Sequence, residues 1–79
     1  MSEPRNTPSY SATNAVGGRI ILQFCEWRNG QAYMVTDGCA AYLVDPQTGI
    51  CEGIESVRGV VLTLVPNALR RLRRAYEER

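Results

Sequence analysis

The sequence predicts an α+β fold: a four- to five-stranded antiparallel meander closed by one C-terminal amphipathic helix. Three observations carry this. Turn chemistry recurs about every eight residues after Gly18. The segments between the turns are rich in β-branched and aromatic residues. Residues 66–79 then switch to helical periodicity with a basic face. A curled sheet with the helix across its apolar face and a small barrel with the helix appended both satisfy this pattern. The curled sheet is the expectation, because an amphipathic helix that directly follows an apolar strand needs a surface on which to bury its stripe.

Residues 1–18 hold Pro4, Pro8, Gly17 and Gly18 among several Ser, Thr and Asn, and offer little that could pack, so they read as a disordered N-terminal arm. The domain proper is then 19–79. Residues 19–28 form the first predicted strand. Asn29 and Gly30 follow, the pair that best tolerates the two positive φ angles of a type I′ hairpin turn. Residues 31–36 return, Asp37 and Gly38 repeat the turn chemistry, and residues 39–44 form the next strand. At 45–49, Pro46 pre-sets φ and Gly49 closes a turn. Residues 50–55 are a weaker strand broken by Gly53, and Arg58 and Gly59 turn the chain again. Residues 60–65, apolar on both faces apart from Thr63, suit the most buried strand of the sheet.

An ordered core of about sixty residues sits near the lower limit of self-sufficiency and usually needs a disulfide, a metal or self-association. Cys25, Cys39 and Cys51 are odd in number, and no apolar run at the N-terminus marks a signal peptide, so a reduced, cytoplasmic chain with buried thiols is expected. No His is present and the three Cys are widely spaced, which argues against a structural metal. Self-association remains, and a homodimer is the expectation.

The missing residue types restrict chemistry. Without His or Lys there is no Ser–His or Cys–His pair, no Schiff base and no P-loop lysine. Acid–base work would fall to Glu26, Asp37, Asp45, Glu52 or Glu55, of which Asp37 and Asp45 are explained as turn residues. Gly17, Gly18 and Arg19 precede β-like residues rather than a helix start, so they are no phosphate loop. The protein is expected to be no enzyme and to carry no cofactor.

Charge is where the sequence points outward. Residues 66–79 carry five Arg and two Glu, against four Arg and six acids in residues 1–65, so a slightly acidic body ends in a basic helix. Pro66 suits the first helical turn, with Asn67 as an alternative N-cap. Leu69, Leu72 and Tyr76 line one side with Ala68 and Ala75 beside them, and Arg70, Arg71, Arg73 and Arg74 occupy the other. Arg73 with Glu77 and Arg74 with Glu78 are spaced for ion pairs, though in the poorer order. The Arg face is either a solvated surface or a reader of anionic groups. Four Arg and no Lys favour bidentate contacts to carboxylate or phosphate, while the acidic body is not the footprint of a dedicated nucleic-acid binder. The apolar stripe is short and lacks Trp or Phe, which argues against membrane attachment. Of the aromatics on predicted strands, Trp27, Tyr33 and Tyr42 are candidates for an exposed recognition patch, since so small a sheet cannot enclose them all.

The expectation is therefore a protein-interaction module of the inhibitor or adaptor type, meeting a protein partner or acidic surface through Trp27, Tyr33, Tyr42 and the four Arg. The alternative is a dimeric nucleic-acid-binding regulator that sets two Arg helices on phosphates.

Overall fold

Tight turns bring six consecutive strands side by side: β1 (Ser9–Thr13), β2 (Arg19–Arg28), β3 (Gln31–Val35), β4 (Ala41–Val44), β5 (Ile50–Ile54) and β6 (Val61–Leu64), followed by α1 (Pro66–Glu77). A computed structural model describes residues 8–79 of the chain. Each strand pairs antiparallel with the next, and β1 with β6, so the meander closes into a barrel. The α+β class and the C-terminal helix stand. The curled sheet gives way to the barrel, and the strand count rises to six.

The sixth strand comes from the segment read as an arm. Ser9–Thr13 alternates outward Ser9, Ser11 and Thr13 with inward Tyr10 and Ala12, both buried. Ala12 lies opposite Leu64 and Thr13 opposite Thr63, and this pairing removes both sheet edges. Residues 9–13 of the expected arm are thus a strand of the barrel, while its first seven residues lie outside the described residues. Between β1 and β2, the Asn14 side-chain oxygen accepts the Val16 and Gly18 amides at 3.1 and 2.7 Å, and Gly17 takes φ 88°.

The other turns follow their chemistry. Asn29 and Gly30 adopt φ 51° and 81°, as a type I′ hairpin requires. In the β4–β5 turn, Asp45 Oδ1 accepts the Gln47 amide at 2.8 Å, and Gly49 closes the loop at φ 81°. Gly53 does not break β5. It faces inward beneath the one-turn 3₁₀ helix Glu55–Val57, whose Val57 carbonyl would lie 2.1 Å from an added Cβ. Only glycine lets that backbone approach so closely.

The interior is filled by side chains, among them Tyr10, Leu22, Met34, Tyr42, Val44, Cys51, Leu62 and Leu64. Such a narrow barrel is a packed core rather than a pore. Residues 60–65 are not the most buried strand. In a closed barrel every strand has an inner and an outer face, so Leu62 and Leu64 are buried while Val61 and Thr63 stand exposed. The cysteines divide similarly: Cys51 is buried inside, whereas Cys25 and Cys39 are exposed and unpaired. Cys39 lies in a turn at φ 66°. Cys25 lies where the β2–β3 register shifts between Phe24 and Glu26, a bulge that turns it outward.

That bulge sets the placement of the helix. Without an extra residue, strict alternation from Leu22 and Phe24 would point Glu26 inward and Trp27 outward. With it, Trp27 turns toward the core side, its ring 5.2 Å from Phe24 and 5.3 Å from Tyr76 of α1. Pro66 begins α1 after Val65, with no side-chain cap. Ala68 and Leu72 bury into the barrel end at which β1 begins and β6 stops. Leu69 packs beside them and reaches Gly49, where an added Cβ would meet its Cδ2 at 3.3 Å. Among the described residues no helix is long and apolar enough to cross a membrane.

Candidate functional site

The outer face of α1 is built on a helix fixed at both ends. Its buried stripe sets which arginines can leave the barrel and which cannot. Arg71 and Arg73 flank the stripe on opposite sides and bend back. The Arg71 guanidinium donates to the Ser9 carbonyl at 3.1 Å and lies 4.7 Å over the Tyr10 ring. Arg73 donates to the Gln47 carbonyl at 2.8 Å. Each thus ties α1 to the barrel, one at the start of β1 and one at the β4–β5 turn. Burial raises the Tyr10 phenol above its ordinary pKa, and the nearby Arg71 charge offsets part of that rise.

Arg70 and Arg74 stand one turn apart on the outermost line of the helix. Arg70 meets only the side-chain oxygen of Asn67, at 3.2 Å, and Arg74 has no side-chain hydrogen bond or ion pair among the described residues. The i,i+4 pairs with Glu77 and Glu78 do not form; the only ion pair among the described residues is Arg28 with Glu26. Arg70, Arg71, Arg74, Ala75 and Glu78 line a shallow groove of about 260 Å³. Ala75 forms its floor, because its small side chain leaves room between the guanidinium groups. Glu78 closes the C-terminal end with the opposite charge. Beyond it, Arg79 folds back over Tyr76, 4.1 Å from the ring.

This arrangement can hold a carboxylate or phosphate between two planar guanidinium groups. Among the described residues no charged side chain is buried. Nor do the described residues gather three potential metal ligands.

The expected aromatic patch does not assemble. Tyr42 points into the barrel and is 4% exposed, opposite Met34 and Gly53 in the register. Trp27 is engaged with Phe24 and Tyr76 because the bulge turned it inward. Tyr33 alone faces outward, and the Arg28 guanidinium covers its ring at 3.9 Å. Of the seven residues singled out in the sequence, the structure brings Arg70, Arg71 and Arg74 into one groove and sets Arg73 and the three aromatics elsewhere. Ala75 and Glu78 were missed. Their spacing was the available signal, since positions 70, 71, 74, 75 and 78 share one helical face.

Against known proteins the chain matches no family model, no curated protein and no solved structure, so any functional reading has to come from the site itself.

Proposed function

We propose that this protein is a small non-enzymatic interaction module, of the inhibitor or adaptor type, whose C-terminal helix presents Arg70 and Arg74 to an acidic surface of a protein partner. One observation carries the reading: the Arg quartet is divided, with Arg71 and Arg73 tying the helix down and Arg70 and Arg74 left to project from it. A pair of guanidinium groups on a docked helix loses little further freedom on binding. Glu78 at the end of the groove suits a partner segment that sets a basic or amide group beside its carboxylates, and opposes a continuous run of phosphates. The two exposed, unpaired thiols support a reducing, cytoplasmic setting.

The alternative is a dimeric nucleic-acid-binding regulator, favoured by the affinity of paired guanidinium groups for phosphate. Two free arginines per chain would give a salt slope of only about −1.8. Titration of a Glu-rich peptide, a short DNA duplex and a single-stranded RNA, each at ~50 and ~200 mM salt, separates the two. The expected result is peptide binding that weakens with salt, disappears in Arg70→Gln/Arg74→Gln and persists in Arg73→Gln. Binding of nucleic acid without peptide would install the regulator in its place. No binding of any of the three by wild type would remove the helix face as a recognition site.

A further inference from the structure

The arginines that line the groove on α1 are not equivalent. Arg70 and Arg74 extend from the helix, whereas Arg71 lines the same groove with its guanidinium already held by the barrel. Its Nη1 donates to the Ser9 carbonyl at 3.1 Å, and its guanidinium carbon lies 4.7 Å over the Tyr10 ring. That ring is itself fixed: Tyr10 is 3% exposed and lies opposite Leu22 in the β1–β2 register. A guanidinium carries five N–H donors in a rigid plane, and the Ser9 carbonyl takes one of them. Nε and Nη2 of Arg71, which sit side by side along one edge of the fork, have no hydrogen-bond partner and no carboxylate among the described residues. Two parallel N–H groups on one edge are what a carboxylate accepts with both oxygens at once.

We infer, on the reading of this groove as a site for an acidic segment, that Arg71 supplies the fork that grips the ligand carboxylate, and that Tyr10 and the Ser9 carbonyl are the groups that position it. The tie to the barrel and the grip on the ligand are then two uses of one side chain, made by different donors of the same guanidinium. A cation resting on an aromatic face keeps its attraction to a second, in-plane partner, because the ring meets the flat of the guanidinium and the carboxylate meets its edge. Arg71 is fixed before any ligand arrives, so less freedom is lost when it binds than for a side chain that the ligand must order. Arg74, three residues on and on the same helical face, completes the contact from the open side of the groove. Both positioning groups belong to β1, which is seated between β2 and β6. The fork is therefore in place only while that strand is seated, and the site is completed by barrel closure rather than by the helix alone.

The test is titration of a Glu-rich peptide into the full chain, followed by the Arg71 Nε–H resonance in heteronuclear NMR spectra, which Arg71→Gln identifies by deleting it. The resonance is expected to shift and to saturate with the overall binding curve. Arg71→Gln should weaken binding at least about tenfold, the scale of a lost charge-assisted contact. Arg71→Lys keeps the charge but loses the fork, and should weaken binding severalfold. Tyr10→Phe keeps the ring face and should bind as wild type, whereas Tyr10→Leu, its retained fold checked by circular dichroism, should weaken binding about two- to tenfold. A resonance that stays still at saturation, or Arg71→Gln binding as tightly as wild type, overturns the grip and leaves Arg70 and Arg74 as the site. Equal binding by Tyr10→Phe and Tyr10→Leu overturns the positioning role of the ring. Absence of binding by wild type overturns the helix reading itself, and the grip with it.

Discussion

Gly53 is the residue at which a single added carbon should do most damage. It sits within β5 opposite Tyr42, and its amide donates to the Val60 carbonyl at 2.8 Å. A Cβ there would lie 2.1 Å from the Val57 carbonyl oxygen and 2.9 Å from both the Val57 carbonyl carbon and its Cγ2. Relief needs a displacement of roughly 1 Å between two backbone segments, neither of which is free to move. β5 is held by β4 and β6, and the Val57 carbonyl itself accepts the Val60 amide at 3.0 Å. Moving the loop therefore strains or breaks two backbone hydrogen bonds, each worth about 1 kcal/mol net. Overpacking adds about 1–3 kcal/mol, so Gly53→Ala should cost about 3–5 kcal/mol. A domain of this size has roughly 4–11 kcal/mol in total, which leaves the variant at the edge of folding. Urea denaturation followed by Trp27 fluorescence measures the loss, since Trp27 lies between Phe24 and Tyr76 and reports helix docking. Gly38→Ala is the control: nothing lies within 4 Å of its Cβ position, and its effect should stay within about 1 kcal/mol of zero. A loss below about 1 kcal/mol for Gly53→Ala would show that the loop yields freely and that the close approach does not select glycine.

Two further expectations concern stability. Arg71→Gln/Arg73→Gln should lower it by about 1–2 kcal/mol in the same assay, whereas Arg70→Gln/Arg74→Gln should stay within about 0.5 kcal/mol, because only the first pair bonds the barrel and those bonds are exposed. Loss of the Arg71 charge should also move the Tyr10 titration, read by ultraviolet absorbance, further upward; a downward move would contradict the assigned contact. Burial pushes the Cys51 thiol from 9.0 up to about 12, against a smaller opposing pull from the Leu64 backbone. The unfolded chain then releases this proton first as pH rises, so the stabilisation is complete below about pH 9 and is lost toward pH 12. Between pH 9 and about 10.5 wild type should lose about 2 kcal/mol from this group, a loss absent from Cys51→Ala whatever its packing cost. Equal pH slopes in the two proteins would contradict it.

What the sequence revealed and what it concealed divide by the range of the interaction. The hairpin at Asn29 and Gly30, the turn closed by Gly49 and the helix stripe of Ala68, Leu69, Leu72 and Tyr76 depend on neighbours within a few residues, and all were legible. β1 was not. Its inward residues are only Tyr10 and Ala12, and it is held as a strand by pairing along its length with β2 as well as by Thr13 meeting Thr63, fifty positions away. The bulge at Cys25 lies within one hairpin, but it is set by the cross-strand pairing of Phe24 with Met34 and Glu26 with Tyr33 and not by the pattern of β2 alone. That one shift decided the fate of Trp27. The Arg quartet was legible as a face but not as two pairs. Which arginine bends back depends on a carbonyl standing within reach, and the Ser9 and Gln47 carbonyls are placed by barrel closure. In residues 61–64, Thr63 was the overlooked sign: a polar residue at one outward position marks Val61, two before it, as outward too.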